Sequence, residues 1–506
     1  GAREQAFIQR FYLYLNMTKP GEKLILSYSD TNAKGEGISP AYLIGSIRSL
    51  YPKLGIEGGA GVRPHKNSIN NYCYPENPEA GIDLFLEKLV QETEKEHEDI
   101  LEQADETDAM FGELYSWYLR NPEYRSRVQK LVQSAFAGKP EDIISQSVAK
   151  ALYGEVSPYS ATRLERFAAC AFAHFLQYGM KLTERVEYEF KPMDMGNVMH
   201  EALESFAEEV RKRGMKWTEL TEQERNEIAD RCLDNIVADY GNTVLKSSAR
   251  NEYMIERTRR ILRRTVWALQ KQLEQGEFQP EGFEVTFGGG RIDRVDIMED
   301  QNKVYVKVID YKTGNTSFDL VYLYHGLQLQ LMIYLDGALR VEQKKYPDKE
   351  IIPAGVFYYN IKDPMIQEKI DADVEAVSAG LMKELKMNGL AQADPELVYR
   401  MDSSLGSIPV AFNKDGSFRK NSSVADRTQF AVLGRYVRTK IEKIRSSILE
   451  GDAEVSPYEL GKKNACTYCP YMTVCGFDRR LSGYEFRRLK NFSDEELWKA
   501  FDREAE

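Results

Sequence analysis

Two aspartates and a lysine define the chemistry this chain could do. Asp293 stands in Gly290-Arg291-Ile292-Asp293-Arg294-Val295-Asp296. Asp310 and Lys312 stand in Val304-Tyr305-Val306-Lys307-Val308-Ile309-Asp310-Tyr311-Lys312-Thr313-Gly314. Both segments alternate β-branched or aromatic residues with polar ones, the period of a strand. Met298 to Asn302 supplies a polar turn, so a β-hairpin is expected. Asp293 and Asp310 then meet on adjacent strands, and Lys312, two residues past Asp310, shares its face. Paired carboxylates hold hard cations, and an ammonium beside them steadies an attacking water or developing charge. That is the donor set of a magnesium-dependent phosphodiesterase. An isolated Asp-x-Lys is more often a surface ion pair, so the reading depends on what accompanies it.

Three groups accompany it. His200 and Glu204, in Gly196-Asn197-Val198-Met199-His200-Glu201-Ala202-Leu203-Glu204, sit four apart on one helix face. A neutral imidazole there could complete a site with two aspartates. Gln330 and Tyr334 share a face of a helix expected over residues 327–334. Cys466, Cys469 and Cys475 form C-x2-C-x5-C, three soft thiolates in one loop, and a tetrahedral site needs a fourth. Cys170 is the best candidate, because Cys73 and Cys232 lie outside these motifs. Four cysteinates suit zinc or an iron–sulfur cluster, and spacing alone does not choose. Joining Cys170 to Cys466 would close a very long loop and restrict the unfolded chain as a cross-link does.

The scaffold around these groups can be read in outline. At 506 residues the chain is too long for one core and calls for two to four domains. No apolar run reaches membrane-span length, and no signal-peptide core opens the chain. The cysteine spacing argues against a disulfide framework and for a reducing, cytoplasmic setting. Gly1-Ala2, with no initiator Met, reads as the start of a piece of a longer protein. The net charge of −11 argues mildly against nucleic-acid binding, but the charges are uneven. Residues 87–107 form an acidic helical run, whereas Arg257, Arg260 and Arg264 share a helix face that could track a phosphate backbone.

Residues 5–29 read as a helix, with Phe7, Phe11 and Leu15 on one side, then a short buried strand at Leu24-Ile25-Leu26. The layout resembles the last signature motif of superfamily-1 helicases, with Lys19 where an ATP-contacting arginine is expected. No G-x-x-x-x-G-K-[ST] sequence occurs, so no ATP hydrolysis is expected in this chain. A short helix over 39–53 and a flexible joint at Gly55 and Gly58–Gly61 come next. An α-helical connecting region follows, most clearly over 82–151. After Ser157-Pro158-Tyr159, Ser160 caps an apolar helix over 161–176 that carries Cys170 and His174. Helices fill 218–275, then strands are expected at 283–287, in the hairpin, and at 355–360. Helix, three strands, helix and strand make an α/β core with a mixed sheet.

Taken in order, these motifs resemble those of the AddB family, subunits of AddAB helicase–nucleases whose C-terminal domain is a RecB-like PD-(D/E)xK nuclease. The resemblance rests on Ser160-x-x-x-Leu164-Glu165, Gly196-x-x-x-His200, Gly290-x-Ile292-Asp293-Arg294, Asp310-Tyr311-Lys312-Thr313-Gly314, Gln330-x-x-x-Tyr334 and the cysteine triplet. It implies a restriction-endonuclease-like mixed sheet flanked by helices, with an α-helical region and a remnant of a RecA-like helicase domain. The division it implies is 1–55 as helicase-like tail, 56–152 as connector and 153–506 as nuclease domain. It implies that His200, Asp293, Asp310 and the Tyr311 carbonyl bind Mg2+ or Mn2+, that Lys312 positions the hydrolytic water, and that Gln330 and Tyr334 align the strand's backbone. It further implies a [4Fe–4S] cluster on Cys170, Cys466, Cys469 and Cys475, single-stranded DNA as substrate in double-strand break repair, and an AddA-like partner. The chain departs from the family in its shorter length, in Ala171 where a proline is usual, and in short joints at Phe287–Gly290 and Gly58–Gly61. A stand-alone CRISPR-associated RecB-like nuclease and a catalytically silent DNA-binding scaffold are the alternatives.

Overall fold

The computed structural model describes residues 2–29, 38–54, 77–94, 106–136, 143–154, 160–184, 192–239, 248–288, 290–365, 374–481 and 483–505. The chain falls into two compact units, 1–87 and 88–506. In the first, α1 (Ala2–Thr18) and α2 (Tyr42–Leu50) are followed by α3 (Pro78–Glu94), which runs on past its boundary. The strand expected at Leu24–Leu26 does not form. Those residues are 40–75% exposed, and no strand among the described residues pairs with them. Three apolar residues without a neighbouring strand leave their backbone groups to water. The joint at Gly58–Gly61 and Cys73 lie outside the described residues, as do Ser157–Tyr159.

The second unit opens with helices α4 (Glu106–Arg120), α5 (Pro122–Ala135) and α6 (Gln146–Tyr153). Asn121 caps α5 through the Glu123 N–H, with Pro122 at its first position. Next comes α7 (Ala161–Ala169), capped by the Ser160 hydroxyl. The continuous helix expected to residue 176 is broken at Cys170, whose backbone is extended (φ −165°, ψ 118°). The chain resumes as α8 (Ala171–His174) and a wide turn over Phe175–Gly179. Helices α9 (Pro192–Lys212), α10 (Glu222–Asp239) and α11 (Ala249–Glu274) follow.

A six-stranded mixed sheet is the centre of the unit, in the order β1-β2-β3-β4-β5-β6. Its strands are β1 (Gln279–Phe287), β2 (Gly290–Asp300), β3 (Lys303–Lys312), β4 (Glu350–Asn360), β5 (Asn388–Gln392) and β6 (Val424–Ala425). The β2–β3 hairpin is longer than the sequence pattern indicates. Its turn shrinks to Gln301-Asn302, with Gln301 at φ 35°. β3 and β4 run parallel, so a crossover must join them. That crossover is α12 (Leu320–Tyr324) and α13 (Gln330–Lys345). The helix therefore starts three residues later than expected and continues well beyond Tyr334. Helices α14 (Val374–Glu384), α15 (Pro395–Met401) and α16 (Arg427–Glu450) complete the layers. Asp426 and Gln429 form a capping box on α16, and Gly451 ends it at φ 94°. A Cβ at Gly451 would stand 1.9 Å from the Ile144 carbonyl oxygen, so glycine is required there.

Strand parity assigns most side chains to one of two cores, with Ile292 and Ala354 out of step. Val295, Ile297, Val306, Val308 and Val356 pack with α7, α13, α16 and the C-terminal α18 (Asp494–Ala505, after the four-residue α17, Met472–Cys475). Met298, Ile309, Tyr311, Phe357 and Tyr359 pack on the other face with α9, α10 and α11. A small sheet, β8-β7-β9, built from β7 (Tyr458–Leu460), β8 (Lys463–Asn464) and β9 (Arg487–Arg488), flanks the cysteine loop.

Candidate active site

Three carboxylates line up across β1, β2 and β3. The β1–β2 register pairs Phe283 with Arg294 and Val285 with Ile292, which sets Glu284 opposite Asp293. Continuing the β2–β3 ladder one step past Arg294–Ile309 sets Asp293 opposite Asp310. Asp293 and Asp310 are 8% and 1% exposed. The Tyr311 N–H donates to Asp293 Oδ2 at 2.7 Å. Lys312 Nζ lies 2.6 Å from Asp310 Oδ2 and donates to Gln330 Oε1 at 2.7 Å. The lysine also sits over the Tyr358 ring. Gln330 reaches Lys312 because α13 begins where the crossover returns from the carboxyl end of β3. Gln330 Nε2 donates in turn to the Tyr334 hydroxyl at 2.9 Å.

His200 enters from α9. Its Nδ1 lies 3.4 Å from Asp293 Oδ2 and 3.8 Å from Glu284 Oε1, so one ligand atom from each of the three falls within 4.8 Å of the others. Nothing in the sequence singles out Glu284. It reads there as an ordinary polar position between Phe283 and Val285, and only the three-strand register reveals it. Its backbone is left-handed (φ 49°), and Arg291 pairs with its carboxylate. Glu204, one turn beyond His200, has its carboxyl raised by burial and by Glu284.

The site is electrostatically frustrated. Burial and the charge of Asp310 push the Asp293 carboxyl up to about 7, against the opposing pull of His200 and the Tyr311 N–H. Burial raises Asp310 as well, although Lys312 pulls it down. Burial alone would lower His200, but Glu284 and Asp293 outweigh it and raise the imidazole. Clustered carboxylates that resist ionisation together are relieved by a cation. An oxygen-rich set with one imidazole fits Mg2+ or Mn2+. The Tyr311 side chain turns away into the other core, edge-on to His200.

Cys170, Cys466, Cys469 and Cys475 line a single cavity with Phe172 and Tyr471, and all four are free thiols. The extended backbone that breaks the helix at Cys170 places it at this wall. Burial and the three neighbouring sulfurs push the Cys466 thiol up to about 12. As thiolates the four sulfurs would be a donor set that fits either zinc or iron–sulfur. Cys232 lies apart, in the core with α10. The basic face of α11 is partly engaged. Arg260 bonds Asp363 at 2.6 Å and Arg264 stacks on Trp267.

The family model of the PD-(D/E)XK nuclease superfamily matches residues 158–476. Over all of its length the chain is 39% identical to the B subunit of an ATP-dependent helicase/deoxyribonuclease from Lachnoclostridium phytofermentans, of which it covers 44%. Proteins of the same name from Alkaliphilus metalliredigens and Thermoanaerobacter pseudethanolicus are 32% and 30% identical over 98% and 99% of the chain, covering 44% and 45% of their lengths. The chain thus spans less than half the length of these curated relatives.

Proposed function

The chain belongs to the PD-(D/E)XK nuclease superfamily, and on that footing we propose that it is a metal-dependent DNA exonuclease acting on a single strand. The observation that carries this reading is the row Glu284, Asp293 and Asp310 beside His200 and Lys312 at one end of the sheet. His200, Asp293, Asp310 and the Tyr311 carbonyl would hold Mg2+ or Mn2+, and Glu284 joins them. The ion, when bound, supplies charge neutralisation and polarisation of the scissile phosphate. Lys312, held between Asp310 and Gln330, would orient the attacking water and meet the charge that develops. Gln330 and Tyr334 keep that lysine in place and align the strand's backbone. The chemistry is positioning and electrostatics rather than covalent catalysis.

By likeness to these relatives, whose name joins helicase and deoxyribonuclease, the chain would work beside an AddA-like helicase–nuclease partner in double-strand break repair, in the cytoplasm. Residues 1–55 would be the tail of an inactive helicase-like domain, 56–152 a connector and 153–506 the nuclease domain. With no phosphate-binding G-x-x-x-x-G-K-[ST] sequence in the chain, ATP hydrolysis would fall to the partner. Cys170, Cys466, Cys469 and Cys475 would hold a [4Fe–4S] cluster that staples α7 to the C-terminal loop. No helix among the described residues is long and apolar enough to cross a membrane.

The test is magnesium-dependent cleavage of end-labelled single-stranded DNA by Asp310→Ala and Lys312→Ala. Each is expected to lose at least about a hundredfold in rate while melting near the parent temperature. Undiminished cleavage by both variants overturns the proposal.

A further inference from the structure

The first turn of α13 carries Gln330, yet the helix has no side-chain cap of its own, since Leu329 stands at its N-cap position. A helix start leaves backbone N–H groups without intrahelical partners. Here two of them find one acceptor on another helix. The Leu329 and Gln330 N–H groups donate to Glu165 Oε1 of α7, at 2.7 and 3.0 Å. An anion at a helix N-terminus is favoured both by the dipole and by charge-assisted hydrogen bonding. From there the contacts continue through Gln330 Oε1 to Lys312 Nζ at 2.7 Å, and from Lys312 to Asp310 at 2.6 Å.

We infer that Glu165 is a positioning residue of the nuclease centre, tying α7 to the first turn of α13 and thereby fixing Gln330 against Lys312. The inference rests on the nuclease reading above. Without the carboxylate the first turn of α13 frays, Gln330 turns away, and Lys312 keeps only one of its two oxygen partners. The same tie has a second consequence. α7 ends at Cys170, so one short helix links the wall of the cysteine cavity to the lysine. Withdrawal from water raises the Glu165 carboxyl to about 7, against the two N–H bonds that lower it. Lys312 and Asp310 are the charged groups that face it, and Tyr334 and Tyr358 are the neutral ones. Assays at pH 8 therefore keep the carboxylate ionised.

The experiment measures magnesium-dependent cleavage of single-stranded DNA at pH 8 by Glu165→Gln and Glu165→Ala. Each is made alone and with Gln330→Ala, and melting temperatures are recorded. A misplaced catalytic group costs on the order of a hundredfold. The expected result is a kcat about tenfold lower for Glu165→Gln and roughly a hundredfold lower for Glu165→Ala, with KM within about twofold. In the Gln330→Ala background either change should cost less than about twofold more, because groups acting in series are not additive. Equal losses in both backgrounds, or an unchanged kcat in Glu165→Ala, overturn the inference while leaving the nuclease reading intact. If Glu165→Ala melts early, the isosteric Gln variant carries the comparison. A parent protein no more active than Asp310→Ala overturns both.

Discussion

Behind the proposed catalytic face, β2 and β3 bury a second set of charges, and removing one of them tests how the hairpin is held. Arg294, Asp296 and Lys307 are 1%, 0% and 5% exposed. Arg294 Nε and Nη2 donate to the two Asp296 oxygens at 2.6 and 2.9 Å, and Lys307 Nζ lies 3.0 Å from Asp296 Oδ2. The cations also rest on aromatic faces, Arg294 on Trp217 and Phe283, and Lys307 on Phe278. Asp296→Asn keeps the shape and deprives two buried cations of the carboxylate they share. Breaking a buried ion pair in this way costs about 3–5 kcal/mol. With unfolding entropy of about 2 cal/mol/K per residue over several hundred residues, that lowers the melting midpoint by roughly 5 °C. Burial would raise the Asp296 carboxyl, but Arg294 and Lys307 hold it below the ordinary range. Its contribution is therefore complete above the unfolded value, near 4, and is lost as pH falls through the lower folded one. The penalty should be the same at pH 6 and pH 8. Urea unfolding followed by circular dichroism reads it. An all-apolar replacement, Arg294→Met with Asp296→Leu and Lys307→Met, should recover most of the loss. A penalty for Asp296→Asn under about 1 kcal/mol would mean that this charge cluster does not hold the hairpin.

Two other measurements bear on the proposed ions. Since Asp293 sits at about 7 without a cation, binding must displace its proton in mild acid. Mn2+ affinity by calorimetry should weaken about tenfold from pH 8 to pH 6, and His200, also raised, acts in the same direction. A folded-state value above the unfolded one destabilises the metal-free protein as pH rises through 7. The gain in melting temperature on adding Mn2+ should accordingly grow from pH 6 to pH 8, and an affinity flat over that range would exclude the assignment. For the cysteines, Cys469→Ala should abolish a brown visible absorption and bound iron and should melt earlier than the parent. A colourless parent protein carrying stoichiometric zinc would reject the cluster.

The hairpin was legible because Val, Ile and Tyr alternate with polar residues over both strands, and parity alone puts Asp310 and Lys312 on one face. Parity along one strand does not give its register against the next, so Glu284 shows itself only when β1 is set against β2. β5 gives no strand signal because Asn388-Gly389-Leu390-Ala391-Gln392 carries no β-branched residue; its pairing with β4 comes from tertiary context. The break at Cys170 could not be read either. The apolar helical pattern runs through it, and the extended backbone there reflects the cavity that Cys170 lines. The strand expected at Leu24–Leu26 failed for the opposite reason: its composition suits a sheet, but no neighbour among the described residues offers one.

Asp293 and Asp296 show why local sequence underdetermines function even where the fold is clear. They stand three residues apart in the same strand, and both are nearly inaccessible to water. An odd spacing sends them to opposite faces. On the α9–α11 face, Asp296 meets a guanidinium and an ammonium and its carboxyl is held down. Asp293, at the end of the sheet that His200 of α9 also reaches, meets two further carboxylates, with Lys312 committed to Asp310 and Arg291 to Glu284, and burial with the charge of Asp310 drives its carboxyl up. One aspartate is balanced within the protein and serves the register that brings the strands into line. Its neighbour is left unbalanced by that same register. A buried carboxylate with too few cations costs stability unless something from outside supplies the charge, so the imbalance fits the proposal that Asp293, and not Asp296, meets a metal ion.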